Sequence, residues 1–235
     1  MFKPINREYL DFLETVVEKA AQIHRQIRST IDFSRRDKSH AFYLIQGSCV
    51  TNAFISIELA RWGYQNLVFQ LARFIRESIA LMEHFETLPE NDRILNAWFE
   101  GKIIRIPMAP ERPSKKPDPK TEERLKRKAK LSGHSIETER RMEETFRILW
   151  RELSKSHHVT PSAVKYNVYK HTHEFDYLCK GLQYRGYENF ALGEFIIIPT
   201  LQSVILFPKI TAVSPENRKL LRKLIDDVHN VDMSL

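Results

Sequence analysis

Arg147, Arg151, Ser154 and His158 follow one another at steps of four, three and four residues, the spacing that stacks side chains along one side of an α-helix. At ~100° per residue, Arg151 and His158 are ~700° apart, ~20° short of two full turns. An arginine can grip a phosphate through two parallel hydrogen bonds, and a histidine can move a proton near neutral pH. Together on one stripe they make a sensible phosphodiester site, with the Ser154 hydroxyl between them. They are separated by ~10 Å of helical rise, so a phosphate lying between them is the natural bridge. His157, four residues after Leu153, falls on the apolar side instead. The competing explanation is an ordinary polar helix end, with its histidines against the negative end of the helix dipole. Arg73 and Glu77 pose the same choice. Four residues apart, they can pair within their own helix for a few tenths of a kcal/mol, or Glu77 can orient His158 or Arg151 from a neighbouring helix.

A second set of candidates is electrostatic. The chain carries a net charge of +7, and residues Glu111 to Lys130 hold nine basic side chains against four acidic ones. Lys115, Lys116, Arg124, Lys126, Arg127 and Lys128 are the candidates for contact with nucleic-acid phosphates. Pro110, Pro113, Pro117 and Pro119 crowd the first half, and proline at this density forbids a regular helix. Residues 108–135 therefore read as an exposed basic insertion or linker: either a solvated connector or a flexible arm that touches phosphates. No aromatic residue is interleaved there, so base stacking is not suggested.

The elements that must position these groups are helical. Arg7 to Phe33 places Tyr9, Leu13, Val16, Val17, Ala20, Ile23, Ile27 and Ile31 at helical spacing, with Asn6 as a cap. Ser39 to Trp62 follows, with Phe42, Ile45, Cys49, Ala53 and Ile57 on one side, and Gly63 breaks it. Tyr64 to Phe85 has Leu67, Leu71, Phe74, Ile75, Ser78 and Leu81 in register, and a short helix spans Asn91 to Glu100. After the basic segment, Ile136 to His158 carries the apolar stripe Met142, Phe146, Leu149, Trp150 and Leu153, and Pro161 stops it. Tyr166 to Tyr187 is aromatic and ambiguous. Asn189 to Leu206 is an apolar helix bent or broken near Pro199. Ser214 caps a last helix to Asn230, with Pro215 at its first position. No strand run and no repeat period stands out.

Two of these segments carry a resemblance. Ala72-Arg73-Phe74-Ile75-Arg76-Glu77 and Leu153-Ser154-Lys155-Ser156-His157-His158 resemble the landmark motifs of an uncharacterised bacterial all-helical family, an Arg-x-x-x-Glu helix followed by a Leu-Ser-x-x-x-His helix end. That family is similar to the HEPN (higher eukaryotes and prokaryotes nucleotide-binding) superfamily, whose ribonuclease signature is Arg, four to six residues, then His. Here six residues separate Arg151 from His158, and the Leu-Ser register selects the same histidine as the helical stripe. The resemblance covers Phe42 to Pro161. It implies metal-independent RNA cleavage by a homodimer, with Arg151 and His158 catalytic and Arg73, Glu77, Arg147 and Ser154 supporting. The residue after the arginine is Glu152, where active relatives carry Asn, Asp or His. A non-catalytic helical binding or protein-interaction module is therefore the alternative.

Composition excludes several other classes. Gly is 7 of 235 residues, less than half the usual ~7%, and β-rich folds need more glycine turns. No Gly-rich phosphate loop is present. His157, His158, His171 and His173 lie close together with Glu174 and Asp176, but no Glu-x-x-His repeat or zinc spacing accompanies them, so no metal and no cofactor is expected. Two distant cysteines, Cys49 and Cys179, make no disulfide framework and point to a reducing, cytoplasmic setting. The longest uncharged piece, Phe195 to Pro208, is 14 residues, short of the ~20 a bilayer span needs. It reads as a buried core helix. The expectation is a single all-α domain over residues 1–235, an antiparallel helical bundle. RNA and a second copy of the chain are its expected partners, and no membrane is.

Overall fold

The computed structural model describes residues 7–62, 65–90, 92–102, 104, 119–132, 135–141, 144, 192–205, 207 and 210–234, and among these the chain is helical with no strand. The helices are α1 (Arg7–Ile27), α2 (Lys38–Arg61), α3 (Gln65–Thr87), α4 (Arg93–Phe99), α5 (Pro119–Ser132), α6 (Ile198–Ile205) and α7 (Pro215–Ser234). Residues 136–141 are also helical, and Ser135 caps them by accepting the Thr138 backbone N–H at 3.0 Å.

All eight apolar positions read in the first helix are buried. The α-helix proper stops at Ile27, and a single 3-10 turn, Arg28–Thr30, follows it. Phe33 therefore lies in a turn and not on a helix. In α2 the expected face of Phe42, Ile45, Cys49, Ala53 and Ile57 is buried. Asp37 caps this helix by accepting the His40 N–H at 2.9 Å. α3 bears out only part of the expected stripe: Ile75 and Ser78 are buried and Leu81 packs against the core, but the rest of the buried stripe is made by other residues. Val68, Ala72, Ile75, Ile79, Met82 and Phe85 are buried, while Leu67 and Phe74 are 42% exposed. α3 carries two apolar stripes, and the core takes the one centred on Ile75. α4 ends in a Schellman-type cap. Gly101, at φ +79°, donates to Trp98 O at 2.9 Å and Lys102 donates to Ala97 O at 3.0 Å, a conformation that glycine adopts without steric cost.

Polar contacts tie the helix ends together. Arg61, in the last turn of α2, bonds Asp11 (2.8 Å) and Glu14 (2.5 Å) near the start of α1. His24, near the end of α1, meets Tyr43 O near the start of α2 at 2.9 Å. Lys38 Nζ, at the start of α2, donates to Glu86 O near the end of α3 at 3.2 Å. Each of these contacts joins the beginning of one helix to the end of another.

α6 is the centre. It packs against α1, α2, α3, α5 and α7, and Leu192, Phe195–Ile198, Leu201, Val204, Ile205 and Phe207 are buried. A helix apolar on every side belongs in a core, which bears out the core-helix reading. The distortion expected near Pro199 takes a specific form. Gly193–Ile197 is a π-turn, closed by a bond from the Ile198 N–H to Gly193 O. Pro199 has no N–H and its ring crowds the carbonyl four residues earlier, so a widened turn upstream lets the helix continue through it. Buried hydroxyls find partners on the helix itself, Thr200 Oγ1 on Ile196 O at 2.7 Å and Ser203 Oγ on Thr200 O at 2.7 Å. No helix among the described residues is long and apolar enough to cross a membrane.

The basic segment needs a correction. From Pro119 it is helix, not connector. Pro119 stands at the first helical position, where its missing N–H has no consequence, and no proline follows it in α5. Leu125 and Ala129, four residues apart, are 2% and 8% exposed.

Candidate functional site

Arg147, Arg151, Ser154 and His158 lie outside the described residues, as do Lys115 and Lys116 and the cap Asn6. Arg73 and Glu77 are described. Arg73 Nε donates to Glu77 Oε1 at 2.8 Å within α3, and the pair is partly buried. The two side chains pair within their own helix. Arg124, Lys126, Arg127 and Lys128 belong to α5. Lys126 and Arg127 are exposed. The Arg127 guanidinium reaches Glu86 of α3 at 2.6 Å, so it ties α5 to the bundle as well as contributing positive charge.

A concavity among the described residues lies elsewhere. A cleft of about 670 Å³ opens at the start of α2, lined by Arg35, Arg36, Asp37, Lys38, Ser39, Glu90, Asn96 and Ile210. The end of the α1–α2 connection lines one side of it, and the turn just before is tightly held. Asp32 accepts Ser34 N at 3.0 Å and Ser34 Oγ at 2.6 Å, an Asx-type turn. Those two bonds, followed by the nearby charges of Arg35 and His40, hold the Asp32 carboxyl below its ordinary range. The backbone N–H of Arg35 closes the turn on Asp32 O at 3.2 Å.

The charges in the cleft are not equivalent. The Lys38 side chain is 11% exposed and spent on Glu86 O and on Glu90, 3.7 Å away. Asp37 is turned inward, accepting from His40 N and from Ser39 Oγ at 2.7 Å. Arg35 meets Asp32 at 3.4 Å, but both side chains are mostly exposed, at 74% and 54%. Such a surface pair contributes ~0–1 kcal/mol and exchanges readily for a phosphate. Arg36 is exposed, and its charge helps Lys102 hold the Glu100 carboxyl low. The cleft therefore offers two guanidinium groups at its mouth.

An aromatic ladder backs this turn. Phe33 stands nearly perpendicular to His40 (centroids 5.2 Å, 78°) and to Tyr43 (5.4 Å, 81°). His40 rests on Phe99 at 5.0 Å, Phe99 on Trp98 at 5.1 Å, and Trp98 on the buried Phe85 at 5.7 Å. His40 Nδ1 also bonds Arg35 O at 2.7 Å. Below Tyr43, His24 stacks on its ring at 4.2 Å and 16°. Burial lowers the His24 pKa, against the bond to Tyr43 O. The backbone comes close here because residue 47 is glycine: a Cβ would stand 2.9 Å from His24 Cε1.

Phe33, Arg35 and Arg36 were missed by the sequence reasoning, which ran the first helix through Phe33. The signal was the paired arginines beside a phenylalanine, between Asp32 and Asp37, both turn and cap formers. No group of three metal-ligating side chains occurs among the described residues. No family model, curated protein or solved structure matches the chain.

Proposed function

We propose that the chain is a HEPN-like, nucleic-acid-directed protein, a metal-independent ribonuclease of a toxin or defence system that works as a homodimer. The observation that carries the nucleic-acid part is the cleft at the start of α2, with Arg35 and Arg36 at its mouth on a chain of net charge +7. Arginine forks match phosphate geometry, and an excess of positive charge attracts polyanions over distance. The catalytic part comes from the spacing of Arg151 and His158. The substrate 2′-hydroxyl attacks the adjacent phosphorus, His158 moves the proton, Arg151 holds the phosphate oxygens, and the 5′ oxygen leaves protonated as a cyclic phosphate forms. The test is RNA cleavage in chelator by the wild type and by His158→Ala. Loss of cleavage with an unchanged melting temperature supports the catalytic reading. Absence of cleavage by the wild type removes it.

A second reading, a non-catalytic interaction module, is favoured by a different surface. Leu44 and Ile55 on α2 and Trp62 just past its end are exposed, Trp62 to 68%, and steps of eleven and seven residues put all three on one stripe. Leu67 and Phe74, seven residues apart on α3, are exposed likewise. Large exposed apolar side chains gathered on one helical hairpin mark protein contact surfaces. Sedimentation of the wild type against Trp62→Glu tests whether this face self-associates, and a wild type that neither binds nor cleaves RNA separates this reading from the first. A dimer lost in the variant assigns this face to self-association.

A further inference from the structure

We infer that Phe33, on the turn that leads into the cleft at the start of α2, is a base-stacking platform, so that this turn and the arginines beside it take single-stranded and not duplex nucleic acid. The inference rests on the nucleic-acid reading above and adds the form of the ligand. Three observations carry it. Phe33 is a large apolar side chain left 46% exposed, as Phe74 is to 42%, whereas Phe42, Phe85 and Phe207 are completely buried. Its ring is held by two perpendicular aromatic contacts, with His40 and Tyr43, so its orientation is set before any ligand arrives. It shares one short turn with Arg35 and Arg36, and His40 ties that turn together by touching the Phe33 ring and bonding Arg35 O.

An aromatic face beside guanidinium groups suits a strand whose bases are free to leave their own stack. The base lies on the ring while the neighbouring phosphate takes the arginine fork. A duplex has its base faces occupied and can offer only phosphates. Stacking is tolerant of base identity, because every base has a π-face. The ligand class is therefore a flexible, unpaired RNA segment without strong sequence preference. Binding at this turn would be separate from cleavage at Arg151 and His158.

The experiment is fluorescence anisotropy of the full-length chain with a labelled short oligouridylate and with a blunt RNA duplex. Wild type, Phe33→Ala, Phe33→Leu, Phe33→Trp and Arg36→Ala are compared, with melting temperatures as a folding control. Phe33→Ala and Phe33→Leu are expected to lose roughly 5- to 150-fold in single-strand affinity, the range for one base–aromatic stack. Their salt dependence and duplex affinity should stay unchanged, and Phe33→Trp should restore binding. Arg36→Ala is expected to weaken both ligands and flatten the salt dependence. Phe33→Leu keeps the apolar bulk that packs on His40 and Tyr43, so it still reports on the ring if Phe33→Ala fails to fold. If single strands bind, the Arg36→Ala effect holds and Phe33→Leu matches the wild type, stacking is overturned while the nucleic-acid reading stands. If neither ligand binds the wild type, both fall.

Discussion

α6 and the turn between α1 and α2 treat their polar groups in opposite ways. Around α6 the polar atoms serve the fold. Gln46 Nε2 donates to Ser203 O at 2.9 Å from inside the core, and the Thr200 and Ser203 hydroxyls return to their own helix. Burial pushes the Cys49 thiol up to about 12, against hydrogen bonds with Ser78 and Ser203 that pull it down, so it is a packed thiol and not a reactive one. At the turn, Asp32, Ser34, Asp37 and His40 hold the backbone by hydrogen bonds, while Arg35, Arg36 and Phe33 are left exposed. One region uses its chemistry on itself, and the other leaves it available. Substitutions should separate the two regions accordingly, with stability responding to the first and binding to the second.

The largest effect is expected at Phe207, fully buried against Phe42 with ring centroids 4.8 Å apart. Phe207→Ala should cost about 3–5 kcal/mol in urea denaturation, whereas Arg36→Ala should stay within about 0.5 kcal/mol of wild type. Equal losses would erase the contrast. Gly47→Ala comes next. The new methyl would sit 2.9 Å from His24 Cε1, and displacing a stacked, buried ring should cost about 1–3 kcal/mol. Asp37→Ala sharpens the comparison by touching both sides of it. Loss of the cap should cost about 1 kcal/mol, while removing a carboxylate from the cleft should raise RNA affinity.

The smallest effect is a pH dependence. His24 is held below its ordinary pKa of 6.5 by burial. Its folded-state pKa is lower than its unfolded one, so protonation favours unfolding. Its contribution is fully present above pH 6.5 and is lost as pH falls from there through the folded pKa. Urea midpoints measured across this range should fall on acidification, and His24→Gln should flatten that part of the profile.

Much of the frame was legible because burial imposes a helical period. Tyr9 to Ile31 and Phe42 to Ile57 could be assigned to the core from spacing alone, and Ser214 could be named as a cap that accepts Asn217 N at 3.2 Å. α3 was not fully legible. Its residues offer two apolar stripes, and only tertiary packing selects Val68, Ala72, Ile75 and Ile79 over Leu67 and Phe74. α5 was hidden by the prolines before it, although Pro119 at a first helical position and Leu125 four residues before Ala129 were the local signals. The cleft was not legible at all. It joins Arg35 to Asn96, residues that meet only because α2, α3 and α4 fold together.

The most direct test of the contrast is the salt dependence of single-stranded RNA binding, measured for the wild type and for an Arg35→Ala/Arg36→Ala double variant. Each phosphate contact on a single strand contributes about 0.7 to the slope of log affinity against log salt, so loss of two should flatten it by about 1.4. The account predicts that flattening together with weaker binding and an unchanged urea midpoint. A double variant that binds RNA with the wild-type affinity and slope would contradict it.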